Sequence, residues 1–137
     1  MTTDTQADPL ADAVAHARAS LPAEACGFLL APDDGAAIVA TLRAHNHAAA
    51  PDRFAMAPLA LVAAAATASA RGLRVVGVYH SHPQGEPTPS AADTEAARHA
   101  WRDARSWRYL ILGMGQGAVT ARTWRFHQGW ISSSGTA

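Results

Sequence analysis

Apolar residues recur at helical spacing in three parts of the chain, where they predict three helices. The predicted helices run over Pro9–Ser20, over Pro58–Arg71 and from Ser90 to about Trp101. Asp8 stands at the N-cap position of the first helix, and Gly72 stands where a glycine commonly ends a helix. The second helix begins with a proline, which suits the first helical position.

Shorter apolar runs bounded by turn residues predict a sheet of about six strands. The runs are Ala25–Ala31, Ala36–Leu42, Leu73–Tyr79, Ser106–Met114, Ala118–Phe126 and a short one from Gly129 onward. The turn residues at 32–35 predict that the first two runs form a hairpin, and Phe54–Met56 is a candidate further short strand. Leu73–Tyr79 is apolar on both faces, as expected of a central strand. Together these elements predict a mixed α/β sheet with helices packed on it.

The length and composition narrow the class of protein. No second-domain boundary is visible, so residues 1–137 are expected to form a single domain with frayed tails at 1–8 and 132–137. The net charge of zero argues against a nucleic-acid partner bound by a general basic field. The single cysteine, Cys26, excludes an internal disulfide framework and a four-cysteine zinc site. With no secretory signal and no apolar run of about 20 residues, we expect a soluble, cytoplasmic protein with no membrane partner.

The stretch that follows the predicted central strand carries the most informative side chains. His80 and His82 are two residues apart, so on a strand their imidazoles point to the same face. Asp93 lies one turn into the next helix, where its carboxylate can reach back over the strand end. Two histidines and one aspartate leave a fourth position open, which is typical of a catalytic zinc. A His-x-His pair also occurs by chance, and the chain has a second one at His45 and His47.

A helix cap is the competing interpretation of part of this stretch. Ser90 and Asp93 have the spacing of an N-cap residue and its partner three positions later. Ser90 can cap a helix and also line a site. A carboxylate directed at a metal is not expected to cap well, so the two interpretations partly exclude each other at Asp93.

The complete spacing H-x-H-x7-S-x-x-D, with a glutamate upstream, resembles the JAMM/MPN-plus zinc metalloproteases. His80, His82, Ser90 and Asp93 match that motif, and PAEACGFLL from Pro22 is similar to the first-strand motif of bacterial members. The resemblance extends from about residue 9 to 130. It implies a deaminase-like α/β/α layered fold and hydrolysis of an amide or isopeptide bond.

The resemblance also implies roles for individual residues. One Zn2+ per chain would be held by His80, His82 and Asp93. Glu24 would take a proton from the attacking water and deliver it to the leaving amine, and Ser90 would stabilise the oxyanion or hold the water. Three further residues are candidates for the substrate channel: Cys26 as a wall of the site, and His45 and His47 in a loop near it. Glu86 is a rival base by proximity, but we expect it to be exposed to solvent.

The compact length, with no room after Asp93 for a ubiquitin-gripping insertion, resembles members that act on small sulfur carriers. The expected partner is a small ubiquitin-like or sulfur-carrier protein with a Gly-Gly tail, cleaved after that tail, with cysteine as one conceivable product. Three alternatives remain: a deubiquitinase-like isopeptidase with another substrate, an inactive MPN-type interaction scaffold, and a cysteine hydrolase that uses Cys26. A nucleobase deaminase is excluded because its H-x-E and P-C-x-x-C signature needs more cysteines.

Overall fold

A computed structural model describes residues 8–99 and 107–132. Its helices are α1 (Ala11–Ser20), α2 (Ala60–Ala70) and α3 (Ala91–Arg98). Its strands are β1 (Cys26–Ala31), β2 (Ala40–Ala44), β3 (Arg74–His82), β4 (Arg108–Gln116), β5 (Ala118–Phe126) and β6 (Trp130–Ser132). The predicted helix end near Trp101, the predicted strand start at Ser106 and the frayed tails, except for Asp8 and Ser132, lie outside the described residues.

The six strands form one mixed sheet in the order β2-β1-β3-β4-β5-β6. Only the β3–β4 pair is parallel, and all other neighbours are antiparallel. Ala13 and Ala17 of α1 pack on one face of the sheet, and Ala64 of α2 packs on the other. The prediction of a mixed six-stranded sheet between helical layers is therefore confirmed. The small alanine side chains let both helices lie close to the sheet.

A register shift in β3 decides which residues face which layer. Leu29 of β1 pairs with Gly77, whereas Leu30 pairs with Val75, so one residue of β3 is left over between these pairs. Val76 belongs to the core under α1, and Val78 belongs to the core under α2. Since side chains alternate along a strand, the residues two and four positions after Val78 share the α2 face.

The structure corrects two predicted strands. The partner of β1 begins at Ala40 instead of Ala36, because the Ala36 carbonyl accepts a 2.7 Å hydrogen bond from the Arg108 side chain and not from β1. No strand forms at Phe54–Met56, because both backbone groups of Ala55 are used within the preceding loop.

The predicted helix ends are close to the observed ones. Asp8 does not cap α1 at its first residue, but its carboxylate accepts a 2.9 Å hydrogen bond from the Leu10 backbone and so caps the turn that leads into the helix. Helix α2 begins at Ala60, two residues after Pro58, and Gly72 follows it with a positive φ of 70°. Glycine adopts that backbone conformation without strain.

Candidate functional site

Strand β3 is longer than predicted and carries both histidines of the first His-x-His pair. His80 and His82 are among the last three residues of β3, and their side chains lie on the same face of the sheet as Val78. The His80 side chain is 3% exposed and the His82 side chain 12% exposed. The strand therefore holds the two imidazoles on rigid backbone, partly or wholly removed from water.

Helix α3 brings the third side chain to the same point. The Asp93 Oδ2 atom lies 3.0 Å from His80 Nε2 and 3.1 Å from His82 Nε2, and the two Nε2 atoms are 3.1 Å apart. The same Oδ2 atom accepts a 2.9 Å hydrogen bond from the Ser90 backbone, while Ser90 Oγ accepts a 3.1 Å bond from the Asp93 backbone. Capping was expected to compete in part with a carboxylate directed at a metal, but the capping box and the contacts with both histidines occur together at Asp93. The capping box directs the carboxylate at the two histidines.

These three atoms form a donor set that could hold a metal ion. Ligand atoms around a tetrahedral zinc lie about 3.3 Å apart, which is close to the separations among His80, His82 and Asp93. Burial raises the pKa of Asp93, but the neighbouring imidazoles of His80 and His82 outweigh burial and hold this pKa well below its usual range. Burial lowers the pKa of His80, which favours the neutral, metal-binding imidazole. The residues thus fit a divalent cation.

Glu24 lies beside this donor set, just before β1. Its side chain is 3% exposed, and its buried Oε1 atom has no hydrogen-bond partner among the described residues. Burial raises the pKa of Glu24 to about 8. A carboxyl group with that pKa can both accept and release a proton near neutral pH.

A cavity of about 330 Å3 opens in front of these groups. Glu24, His82 and Ser90 line it on the side of the donor set, and residues from two loops line the rest: Pro51, Asp52, Pro83, Gln84 and Gly85. The Glu24 carboxyl, the His82 imidazole and the Ser90 hydroxyl group therefore face the same cavity.

The chain matches a known protein family along most of its length. Residues 7–127 match the family described as prokaryotic homologs of the JAB domain. The chain belongs to this family. A desampylase from Haloferax volcanii is 34% identical over 123 residues, which is 86% of this chain and 84% of the relative.

Two solved structures share the fold of this chain. The solution structure of a protein from Desulfitobacterium hafniense is similar with a TM-score of 0.77 and 28% identity, covering 91% of this chain and 85% of the other. A JAB1/MPN domain protein from Archaeoglobus fulgidus is similar in fold, with a TM-score of 0.54, 15% identity and coverage of 90% and 89%.

The loop after His82 fixes the orientation of that imidazole in this JAB domain. His82 Nδ1 lies 2.9 Å from the Glu86 carbonyl, so Nδ1 donates and Nε2 is left to face the site. Trp124 Nε1 donates a 2.9 Å hydrogen bond to the carbonyl of Pro87 in the same loop. A Cβ atom at Gly113 would lie 2.5 Å from the Pro87 backbone nitrogen, so only glycine allows this loop to lie on β4.

The remaining candidate residues of the JAB domain fall into two groups. Cys26 is fully buried and pairs with His80 across the sheet, and burial raises the pKa of its thiol to about 12. A thiol with that pKa is not a nucleophile near neutral pH. His45, His47 and Glu86 are exposed and do not line the cavity. The expected exposure of Glu86 is confirmed, whereas a channel role for the two histidines stays a prediction.

Four residues that are not among the predicted site residues contact either the site residues or the loop after His82. Phe54 stacks on the His80 ring, with centroids 4.7 Å apart. Asn46 donates to the Glu24 carbonyl, and Gly113 and Trp124 support the loop after His82. Gly113 interrupts an otherwise apolar strand, which is a sequence signal for close backbone approach.

No helix among the described residues of the JAB domain is long and apolar enough to cross a bilayer.

Proposed function

We propose that this JAB domain is a zinc-dependent hydrolase that cleaves an amide or isopeptide bond after the Gly-Gly end of a small ubiquitin-like or sulfur-carrier protein. The observation that carries the proposal is the convergence of His80, His82 and Asp93 within 3.1 Å of one another, beside a buried glutamate. The similarity to a desampylase agrees with a hydrolase that acts on conjugates of a ubiquitin-like protein.

Zinc is the metal that best suits two imidazoles and one carboxylate with a fourth position open. His80 Nε2, His82 Nε2 and Asp93 Oδ2 would hold one ion per chain. When bound, zinc would lower the pKa of a neighbouring water toward about 7 and polarise the scissile carbonyl.

Glu24 and Ser90 would complete the reaction. Water oxygen adds to the carbonyl carbon, the carbon–nitrogen bond breaks, and the amine leaves with a proton that the water has lost. Glu24 would accept that proton and pass it to the amine, since its buried carboxyl lines the same cavity as His82 and Ser90. Ser90 faces the same cavity and would donate its hydroxyl hydrogen to the oxyanion.

The walls of the cavity suit a glycine tail. Pro51, Pro83 and Gly85 line the cavity and offer no long side chain. A Gly-Gly segment has no side chains to exclude, so its carbonyl can approach the donor set closely. The leaving group on the far side would be a lysine side chain, a peptide or cysteine.

Cleavage of a ubiquitin-like protein fused through Gly-Gly to a reporter amine tests this proposal. We expect zinc-loaded protein to cleave the fusion, chelation to stop cleavage and zinc to restore it. Glu24→Gln should lower turnover at least about 10³-fold while zinc stays bound, because the proton carrier is lost. Cys26→Ala should retain activity.

Two results would redirect the assignment. A zinc-replete wild type that is inert toward every Gly-Gly fusion would contradict the substrate class and favour an interaction scaffold. Activity that survives chelation but disappears in Cys26→Ala would favour a cysteine hydrolase.

A further inference from the structure

The loop between β2 and α2 is organised by one side chain. Residues 45–55, here called the Asn46 loop, contain no helix and no strand. The Asn46 side chain makes four hydrogen bonds, three within this loop and one to Glu24, and so uses all of its hydrogen-bonding capacity. Its Oδ1 accepts 3.0 Å bonds from the backbones of Ala48 and Ala55, and its Nδ2 donates to the carbonyls of Arg53 at 3.2 Å and Glu24 at 2.9 Å.

The Asn46 loop also holds the other backbone group of Glu24. The Glu24 N–H donates a 2.8 Å hydrogen bond to the Ala50 carbonyl. Glu24 precedes β1, whose first residue is Cys26, so it is not part of the sheet ladder. Both backbone groups of Glu24 are thus paired with the Asn46 loop instead of with a neighbouring strand.

The side chain of Glu24 has little else to fix it. Its buried Oε1 atom has no hydrogen-bond partner among the described residues. The direction in which the carboxyl enters the cavity therefore depends on how the Glu24 backbone is held. On the C-terminal side, Ala25 is bonded to Ser81. Glu24 itself accepts one hydrogen bond from Asn46 and donates one to the Ala50 carbonyl of the loop that Asn46 organises.

We propose that Asn46 is a positioning residue that sets the placement of Glu24 in the cavity. The expected effect on turnover rests on the proposed function. The hydrogen bonds between the Asn46 loop and the Glu24 backbone do not depend on that function. Asn46 does not touch the donor set of His80, His82 and Asp93, so its loss should affect proton transfer more than metal binding.

Amide hydrogen exchange tests the contacts without any substrate. In the wild type, the amides of Ala48 and Ala55 should be protected although they lie in a loop, because Asn46 Oδ1 accepts from both. In Asn46→Ala, the acceptor for these two amides and the donor to the carbonyls of Glu24 and Arg53 are both lost, so exchange at these two amides and at Glu24 should accelerate at least about tenfold. The Leu29 amide, inside β1, should not change. Unprotected Ala48 and Ala55 amides in the wild type would overturn the proposal even if the variants do not fold.

Kinetics of zinc-loaded variants test the consequence. For Asn46→Asp and Asn46→Ala we expect kcat on a Gly-Gly fusion to fall about 10²-fold, as for a misplaced catalytic group. KM and zinc affinity, measured by chelator competition, should each stay within about threefold. Arg53→Ala is the matched control, since it removes an exposed side chain of the same loop and keeps the carbonyl that Asn46 contacts.

Three other outcomes would contradict the positioning role of Asn46 or the proposed function. A folded, zinc-loaded Asn46 variant with kcat within about threefold of the wild type would overturn the positioning role. An equal loss of zinc affinity and kcat would assign Asn46 to general folding instead. A wild type that cleaves no Gly-Gly fusion would contradict the proposed function, while the exchange rates would still decide whether Asn46 holds Glu24.

Discussion

The chain contains the same His-x-His spacing twice, and the two pairs differ in secondary structure, in exposure to solvent and in their neighbouring side chains. His80 and His82 lie on a central strand, and Asp93 faces both of them through one carboxylate oxygen. His45 and His47 lie in an exposed loop, and their rings pack edge-to-face on each other at 4.6 Å. No third ligand candidate joins them among the described residues.

This difference shows what distinguishes a histidine pair that could hold a metal ion from a pair that has only the spacing. A strand fixes both side chains on one face, a capped helix supplies a carboxylate, and the surrounding protein removes competing water. The loop pair has only the spacing. Zinc affinity should therefore depend on the burial of the pair and on the third ligand, and the variants below change these features.

The largest expected effect comes from removing the third ligand. Asp93→Asn should weaken zinc binding by at least about 10³-fold, since it replaces a carboxylate by a poor ligand that must still accept from the Ser90 backbone. The double variant His45→Ala/His47→Ala should keep the zinc affinity of the wild type. Chelator competition measures both, and a large loss in the double variant would mean that the two pairs do not differ as described.

An intermediate effect is expected at Gly113, which touches no ligand. In Gly113→Ala the new methyl group would push the Pro87 backbone away and disturb the Glu86 carbonyl that orients His82. Loss of such support typically costs about 10–100-fold in metal affinity. Gly35→Ala is the matched control, because a Cβ atom there meets nothing within 4 Å. Equal zinc affinities in the two variants would show that the loop does not orient His82.

The smallest expected effect concerns stability in the absence of metal. The Glu24 pKa rises from its ordinary 4.5 to about 8 on folding, so the folded protein holds this proton more tightly than the unfolded chain does. Raising the pH from about 5 to about 8 should therefore lower the contribution of Glu24 to the free energy of unfolding. Glu24→Gln lacks this dependence, and its stability relative to the wild type should increase by at least about 1 kcal/mol over that interval. Thermal unfolding of both metal-free proteins at the two pH values measures it, and a constant difference would contradict the raised pKa.

The histidine, serine and aspartate positions were predictable because their geometry is local. Residues two apart on a strand share a face, and the third residue of a helix points back past its cap. The contacts of Asn46 with Glu24 and of Trp124 with Pro87 join residues 22 and 37 positions apart, and no local pattern contains them.

The errors in the fold have the same origin. Residues 36–39 have a strand-like sequence, but Arg108 takes the Ala36 carbonyl from 72 positions away. Phe54–Met56 looks like a strand, yet Asn46 pairs with the Ala55 amide and Phe54 stacks on His80. A tertiary hydrogen bond overrides the local preference at Ala36, and a side-chain hydrogen bond within the loop overrides it at Ala55.

Anomalous X-ray diffraction at the zinc edge, from crystals of the zinc-loaded protein, shows directly whether the buried donor set holds the metal. We predict one strong peak per chain, within bonding distance of His80, His82 and Asp93, in front of Glu24. A peak at His45 and His47 instead, or no peak at the buried histidines of a zinc-saturated protein, would contradict this prediction.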